Sequence, residues 1–149
     1  QMCIRDSSSP EDLAQHTGLL LETVMHPPTQ ILRKNGAASP ILRWKEVFTT
    51  HDQMTLRELV LSSLGITVDL YAGHVLPEIR RGRLVPIMPG WRRESWQMSV
   101  VTRWEDEARS KALSDFAAYV ALEAEATWAP IREETNRVVE EAFRRRLRS

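Results

Sequence analysis

The feature that most constrains the fold is a strand, a helix and a second strand that follow one another between residues 47 and 71. The segment "VFTT" is typical of a strand, "HDQMTLRELVLSSLG" of an amphipathic helix, and "ITVDLY" of another strand. Apolar residues recur in the helix at the spacing of one face: Leu56, Leu59, Val60 and Leu64. This order favours two parallel strands joined by a helical crossover.

The rest of the chain continues the alternation. We expect a short helix after Ser9, strands in "GLLLETV", "TQILRK", "RLVPIM" and "WQMSVVTRW", and a short helix in "HVLPEIRRG". Gly65 is expected to end the first long helix in a left-handed conformation. The pattern predicts an α/β fold with a mixed, largely parallel sheet.

A long helix is predicted from Ser110, and Pro130 is expected to break or kink it because proline removes a helical hydrogen bond. Residues 131–149 are expected to form a further amphipathic helix. The expected buried stripe of its first half comprises Leu113, Phe116, Ala117, Val120 and Ala124. That of its second half comprises Ile131, Val138, Ala142 and Phe143.

The composition argues against several classes of function. Lysine plus arginine and aspartate plus glutamate both number 20, so net charge gives no pull towards nucleic acid. The single cysteine, Cys3, allows no internal disulfide and no thiolate metal site. The four histidines are far apart in the sequence, and no metal site or cofactor is expected. The chain also lacks an apolar run long enough to cross a membrane.

The first residues, "QMCIRDS", resemble a translated adapter sequence. We therefore expect residues 1–7 to be non-native and the native sequence to begin near Ser8, already cut at its N-terminus. The alternative is a native tail that is frayed.

Polar residues follow the strand "VFT" directly, before the best helix begins. In open α/β sheets, ligands bind beyond the carboxyl ends of the strands, and a helix N-terminus offers N–H groups to an anion. Thr49, Thr50 and His51 are therefore candidate ligand contacts. Plain capping of the strand and helix ends is the competing interpretation, and Asp52 is expected to cap the helix.

Two more polar residues lie at the carboxyl ends of predicted strands. Asp69 closes "ITVD", and Thr23 follows Glu22 at the end of "LLLET". They complete the expected contact set.

Five segments together resemble the effector-binding domain of LysR-type transcriptional regulators. They are "PEDLAQHTGLLL", "VFTTHDQMTLRELVLSSLGITV", "LPEIRRGRLVPIMPGW", "MSVVTR" and "ALSDFAAYVA". The resemblance implies a periplasmic-binding-protein-like (type II) fold, in which a small ligand binds between two α/β lobes. Residues 8–125 resemble the second lobe with the strand and helix that return to the first, and residues 126–149 form a helical extension.

The resemblance also implies a function. The chain would be the effector-sensing part of a cytoplasmic regulator, binding a small, anionic metabolite and forming homo-oligomers through this domain. DNA would be bound only through an N-terminal winged helix-turn-helix that this chain lacks. The position after the strand agrees with effector contact by Thr49, Thr50 and His51. No enzymatic activity and no membrane contact are expected.

Two rivals stay open. One is an exported solute-binding protein with the same fold. The other is a small α/β enzyme that uses His51 with Asp52 or Asp69, although the sequence offers no candidate nucleophile for it.

Overall fold

The computed structural model describes residues 7–23, 30–94 and 99–146, and the chain divides into two compact units. The first unit comprises residues 1–94 and 135–149, and the second comprises residues 95–134. The predictions for Cys3, for the end of the strand "GLLLETV" and for the beginnings of the strands "TQILRK" and "WQMSVVTRW" lie outside the described residues.

A parallel strand pair lies at the centre of the first unit. Strand β1, Thr17–Leu21, pairs in parallel with β4, Glu46–Thr50, and Leu21 lies opposite Thr50. Residues 18–21 are all buried, as expected of a strand covered on both faces. The predicted strands at "GLLLETV" and "VFTT" are thus confirmed.

Helix α1, Gln53–Leu61, follows β4 and leads to Ile66, which forms an isolated parallel bridge with Gly18 on the other edge of β1. This is the expected crossover. Leu56 is fully buried against Leu19 and Leu21, but Leu64 is 55% exposed and does not belong to the apolar face.

The expected role of Gly65 is wrong. The left-handed residue after α1 is Ser63, with a φ of 60°. Gly65 is needed for a different reason: a Cβ there would lie 2.5 Å from the carbonyl oxygen of Thr17. A side chain would therefore push this segment away from β1.

The described strands form two separate sheets, and the second is antiparallel, so the expectation of one largely parallel sheet is wrong although the α/β class is right. The strand order of the second sheet is β3 (Ala37–Ala38), β2 (Leu32–Lys34) and β5 (Arg92–Arg93). Before β1, the helix predicted after Ser9 is a 3-10 helix, Pro10–Gln15. Its Leu13 is fully buried with Leu32 and Ile66 in one core cluster.

Two predicted strands of the first unit do not form. The segment at "ITVDLY" makes a bridge at Ile66 and does not continue as a strand, and "RLVPIM" has no strand pairing among the described residues. Pro86 cannot donate a backbone hydrogen bond, and Val85 is 46% exposed. Helix α2, Ala72–Arg80, lies between them and is confirmed, with a turn at Gly82 (φ 70°) after it.

The second unit is helical. Residues 99–103 form no strand, contrary to the prediction, and the short helix α3, Trp104–Arg109, follows. Helix α4, Lys111–Arg146, is one helix that contains Pro130, so the expected break at Pro130 and the separate helix after it are wrong. Its last turns belong to the first unit, where Val138 is buried with Leu76 and Ile79 of α2.

The expected buried stripe of the first half of α4 is wrong. Phe116 is 62% exposed, and Leu113, Ala117, Val120 and Ala124 are half-buried. The stripe of the second half is confirmed at Val138, where α2 supplies an apolar partner surface.

Candidate functional site

The carboxyl ends of β1 and β4 meet at one edge of the parallel pair. Because the strands are parallel with Leu21 opposite Thr50, the residues that follow both strands emerge together. The backbone N–H of Glu22 donates to the carbonyl of Thr50 at 2.9 Å, which extends the pairing by one residue. We call this place the strand-end edge and define it by Glu22, Thr50 and His51.

The structure brings His51 onto this edge. Its Nδ1 hydrogen-bonds the carbonyl oxygen of Glu22. A carbonyl oxygen accepts and cannot donate, so Nδ1 carries the proton. In the neutral ring Nε2 is then an acceptor, and in the charged ring it becomes a second donor. His51 is exposed, so a ligand can reach it.

The two threonines differ. Side chains alternate along a strand, so Thr49 and Thr50 lie on opposite faces of the sheet. The hydroxyl of Thr50 accepts from the backbone N–H of Asp52 at 3.3 Å, and Thr49 is exposed. Thr23, which comes directly after Glu22, is half-buried.

Asp52 caps α1, as expected. Its carboxylate accepts from the backbone N–H of Thr55 at 2.6 Å. This hydrogen bond lowers the pKa of Asp52 below its usual value, so the carboxylate is charged at neutral pH. The N-terminus of α1 therefore already holds a negative charge, which weakens its attraction for an anion from outside. His51 and Asp52 each bond to backbone groups, so this geometry gives no support to a His–Asp catalytic pair.

Asp69 lies behind the edge, with a fully buried side chain that joins three parts of the chain. Its carboxylate accepts from the backbone N–H of Leu21 at 2.9 Å and from Nε2 of Gln30 at 2.6 Å. It also forms an ion pair with Arg93 on β5. In this arrangement Asp69 fixes the end of β1, and its contact with an effector stays a prediction.

A comparison with models of protein families shows which family the chain belongs to. Residues 3–124 match the model of the LysR substrate binding domain. The chain belongs to this family. No curated protein and no solved structure gave a match.

Membership of the LysR substrate-binding family confirms the resemblance drawn from the five segments. The family has a periplasmic-binding-like α/β fold, and its domain is the regulatory, effector-binding part of LysR-type regulators. The match begins at residue 3, whereas the native sequence was expected to begin near Ser8. Ser7 itself is buried, and its hydroxyl lies 3.1 Å from Nε2 of His16. The non-native origin of residues 1–7 stays a prediction.

The LysR-family domain carries a second buried carboxylate that sequence reasoning missed. Glu78 on α2 is fully buried and pairs with Arg57 of α1, with Arg83 at 2.5 Å and with Arg81 at 3.4 Å. Burial raises the pKa of this carboxyl, but the hydrogen bonds from Arg57 and Arg83 outweigh it and hold the pKa below its usual value. The signal in the sequence is the run "EIRRGR", a single acid among arginines.

Among the described residues, no group of acids, histidines or cysteines could hold a metal ion. No helix in the described part of the chain is long and apolar enough to span a membrane.

A cavity of about 1110 Å³ lies in the first unit. None of Thr23, Thr49, Thr50, His51 and Asp69 lines it, although Val68 and Leu70 do. The cavity and the strand-end edge are therefore separate candidate sites in this LysR-family domain.

Proposed function

We propose that this chain senses a small metabolite for a LysR-type DNA-binding transcriptional regulator, and that the metabolite contacts the strand-end edge. The observation that carries the proposal is the convergence of Thr50, His51 and Glu22 at the carboxyl ends of two parallel strands. In open α/β sheets this is where ligands bind.

The chemistry of the edge favours a hydrogen-bonding organic anion held by side chains. Asp52 occupies the N-terminus of α1, so His51 is the group that offers positive charge, through Nε2 of its protonated ring. Thr49 and Thr23 add hydroxyl groups that bind oxygen atoms of a ligand.

An effector controls transcription only if it binds one arrangement of the protein better than another. We place the effector between two lobes of a cytoplasmic homo-oligomer, where it would bias their arrangement. That shift would change how an N-terminal winged helix-turn-helix, outside this chain, engages DNA.

The test begins with a screen of small organic acids by thermal shift on the 149-residue chain. A compound that raises the melting temperature is then titrated by calorimetry against the wild type, His51→Ala and Lys45→Ala. Lys45 is exposed next to the opposite end of β4 and serves as the matched control. We expect His51→Ala to weaken binding about tenfold, as for a lost hydrogen bond to a charged group, and Lys45→Ala to leave it unchanged.

Equal affinity of the wild type and His51→Ala would show that the edge does not hold the effector. The regulator itself is tested separately by sequencing the source DNA upstream of residue 8. A winged helix-turn-helix in the same reading frame is expected. A signal peptide there would contradict the regulator and favour a solute-binding protein.

A further inference from the structure

The cavity of the first unit has walls from several parts of the chain that are distant in sequence, among them the segment 60–70. Helix α2 supplies Val75 and Ile79, the segment 84–91 supplies a run of apolar residues, and the last turns of α4 supply Val139 and Phe143. A volume of about 1110 Å³ suffices for a drug-sized molecule. The walls therefore favour an apolar ligand body.

Charged residues on the lining are mostly positive. Among the described residues that line the cavity there are four arginines, Arg83, Arg92, Arg93 and Arg144, and one acid, Glu140, which pairs with Arg144 at 3.7 Å. Arg93 is paired with the buried Asp69. Arg83 pairs with Glu78 through its Nε, but Glu78 also pairs with Arg57 and Arg81, and within the described part of the chain only Arg57 has a second acid, Glu58, beside it. The lining thus keeps an excess of positive charge, which favours an anionic group on the ligand.

Two residues with a strained backbone conformation also line the cavity. Among the described residues, the non-glycine residues with positive φ are Asn35, Ser63 and Met88. Ser63, at 60°, and Met88, at 55°, both line the cavity. A positive φ in a residue other than glycine costs free energy. Such residues are frequent at ligand-binding sites, where the surrounding structure holds the backbone in this conformation.

We propose that this cavity is a second ligand site, which binds an amphipathic organic anion with an aromatic or alkyl body and one carboxylate or sulfonate group. Arg83 binds the anionic group, and Val75, Ile79 and Val139 contact the body. None of the five effector-contact residues lines the cavity, so the site does not depend on the strand-end edge.

The experiment uses two fluorescent probes with the same apolar body, 8-anilinonaphthalene-1-sulfonate and the uncharged N-phenyl-1-naphthylamine. Both are titrated into the 149-residue chain and its variants. Val85→Trp and Val139→Trp fill the cavity and should abolish binding of both probes. Val85 lies outside the helices and is 46% exposed, so its variant decides the result if Val139→Trp does not fold.

Arg83→Met tests the anionic group and should weaken the sulfonate about tenfold without changing the uncharged probe. Arg81→Met is the matched control, because Arg81 also pairs with Glu78 but does not line the cavity. Phe116→Lys tests whether the probes bind the exposed part of α4 instead. Both controls should bind like the wild type.

Unchanged binding of both probes to Val85→Trp would overturn the site, as would loss of binding in Phe116→Lys. If Arg83→Met and Arg81→Met weaken binding of the sulfonate probe equally, Arg83 does not bind the anionic group.

Discussion

Asp69 shows how one residue joins parts of the fold that are distant in sequence. Its buried carboxylate bonds the end of β1, Gln30 and Arg93 of β5. Burial lowers the pKa of Arg93, but an arginine remains charged in a folded protein. The two charges therefore depend on each other, because neither is well solvated.

Removing the charge of Asp69 should destabilise the fold strongly. We expect Asp69→Asn to lower the free energy of unfolding by about 3 kcal/mol, because it removes the buried carboxylate charge that pairs with the half-buried Arg93. Urea unfolding measures this. Adding Arg93→Met should recover part of the loss. Arg33→Met breaks the exposed pair with Glu94 and should cost less than about 1 kcal/mol. Similar losses for Asp69→Asn and Arg33→Met would contradict the buried pair.

The sequence placed Asp69 after an apolar run but could not supply its partners. Arg93 reaches Asp69 because β5 pairs with β2, and Gln30 directly precedes that part of the second sheet. The contacts of Asp69 with Arg93 and Gln30 cannot be read from a local sequence pattern, because they join segments that are far apart in the chain. By contrast, the cap at Asp52 is a local motif and was predicted.

Elements were predictable where their stabilising contacts are local. Helix α1 has a capping residue and an apolar face, and both are visible in the sequence. The segments 66–71 and 83–88 have the composition of strands, but a strand needs a partner, and composition does not reveal one. Residues 83–88 line the cavity instead.

The cap of α1 predicts a dependence of stability on pH. Hydrogen bonding to Thr55 lowers the pKa of Asp52 from its ordinary 3.8, so the folded state binds this proton more weakly than the unfolded state does. The stabilisation is therefore present above about pH 4 and is lost as the pH falls through the folded pKa.

We expect Asp52→Asn to melt a few degrees below the wild type at neutral pH, since asparagine still caps but lacks the charge that favours a helix N-terminus. The difference should shrink below about pH 4. Circular dichroism melts between pH 2 and 7 measure it. Asp115→Asn, at an exposed site paired with Lys111, should show no such trend. A constant difference at every pH would rule out the charged cap.

At the scale of the whole molecule, the two units differ in how they bury apolar surface. The first has three core clusters: one joins β1 to α1, one joins α2 to the end of α4, and one joins Leu13 of the 3-10 helix to Leu32 of β2. In the second, large apolar side chains remain exposed, among them Phe116, Tyr119 and Leu122 at three-residue spacing along α4. Residues at this spacing are neighbours on a helix surface, so they form one continuous apolar stripe.

An exposed stripe of this kind favours association. We expect the 149-residue chain to self-associate at micromolar concentrations and Tyr119→Lys to shift it towards the monomer, because a charge in the middle of the stripe must be desolvated on contact. Sedimentation velocity measures the distribution. Ala121→Lys adds the same charge to an exposed site two residues further on, about 200° around the helix, and should associate like the wild type. If both variants dissociate alike, added charge and not the stripe governs association.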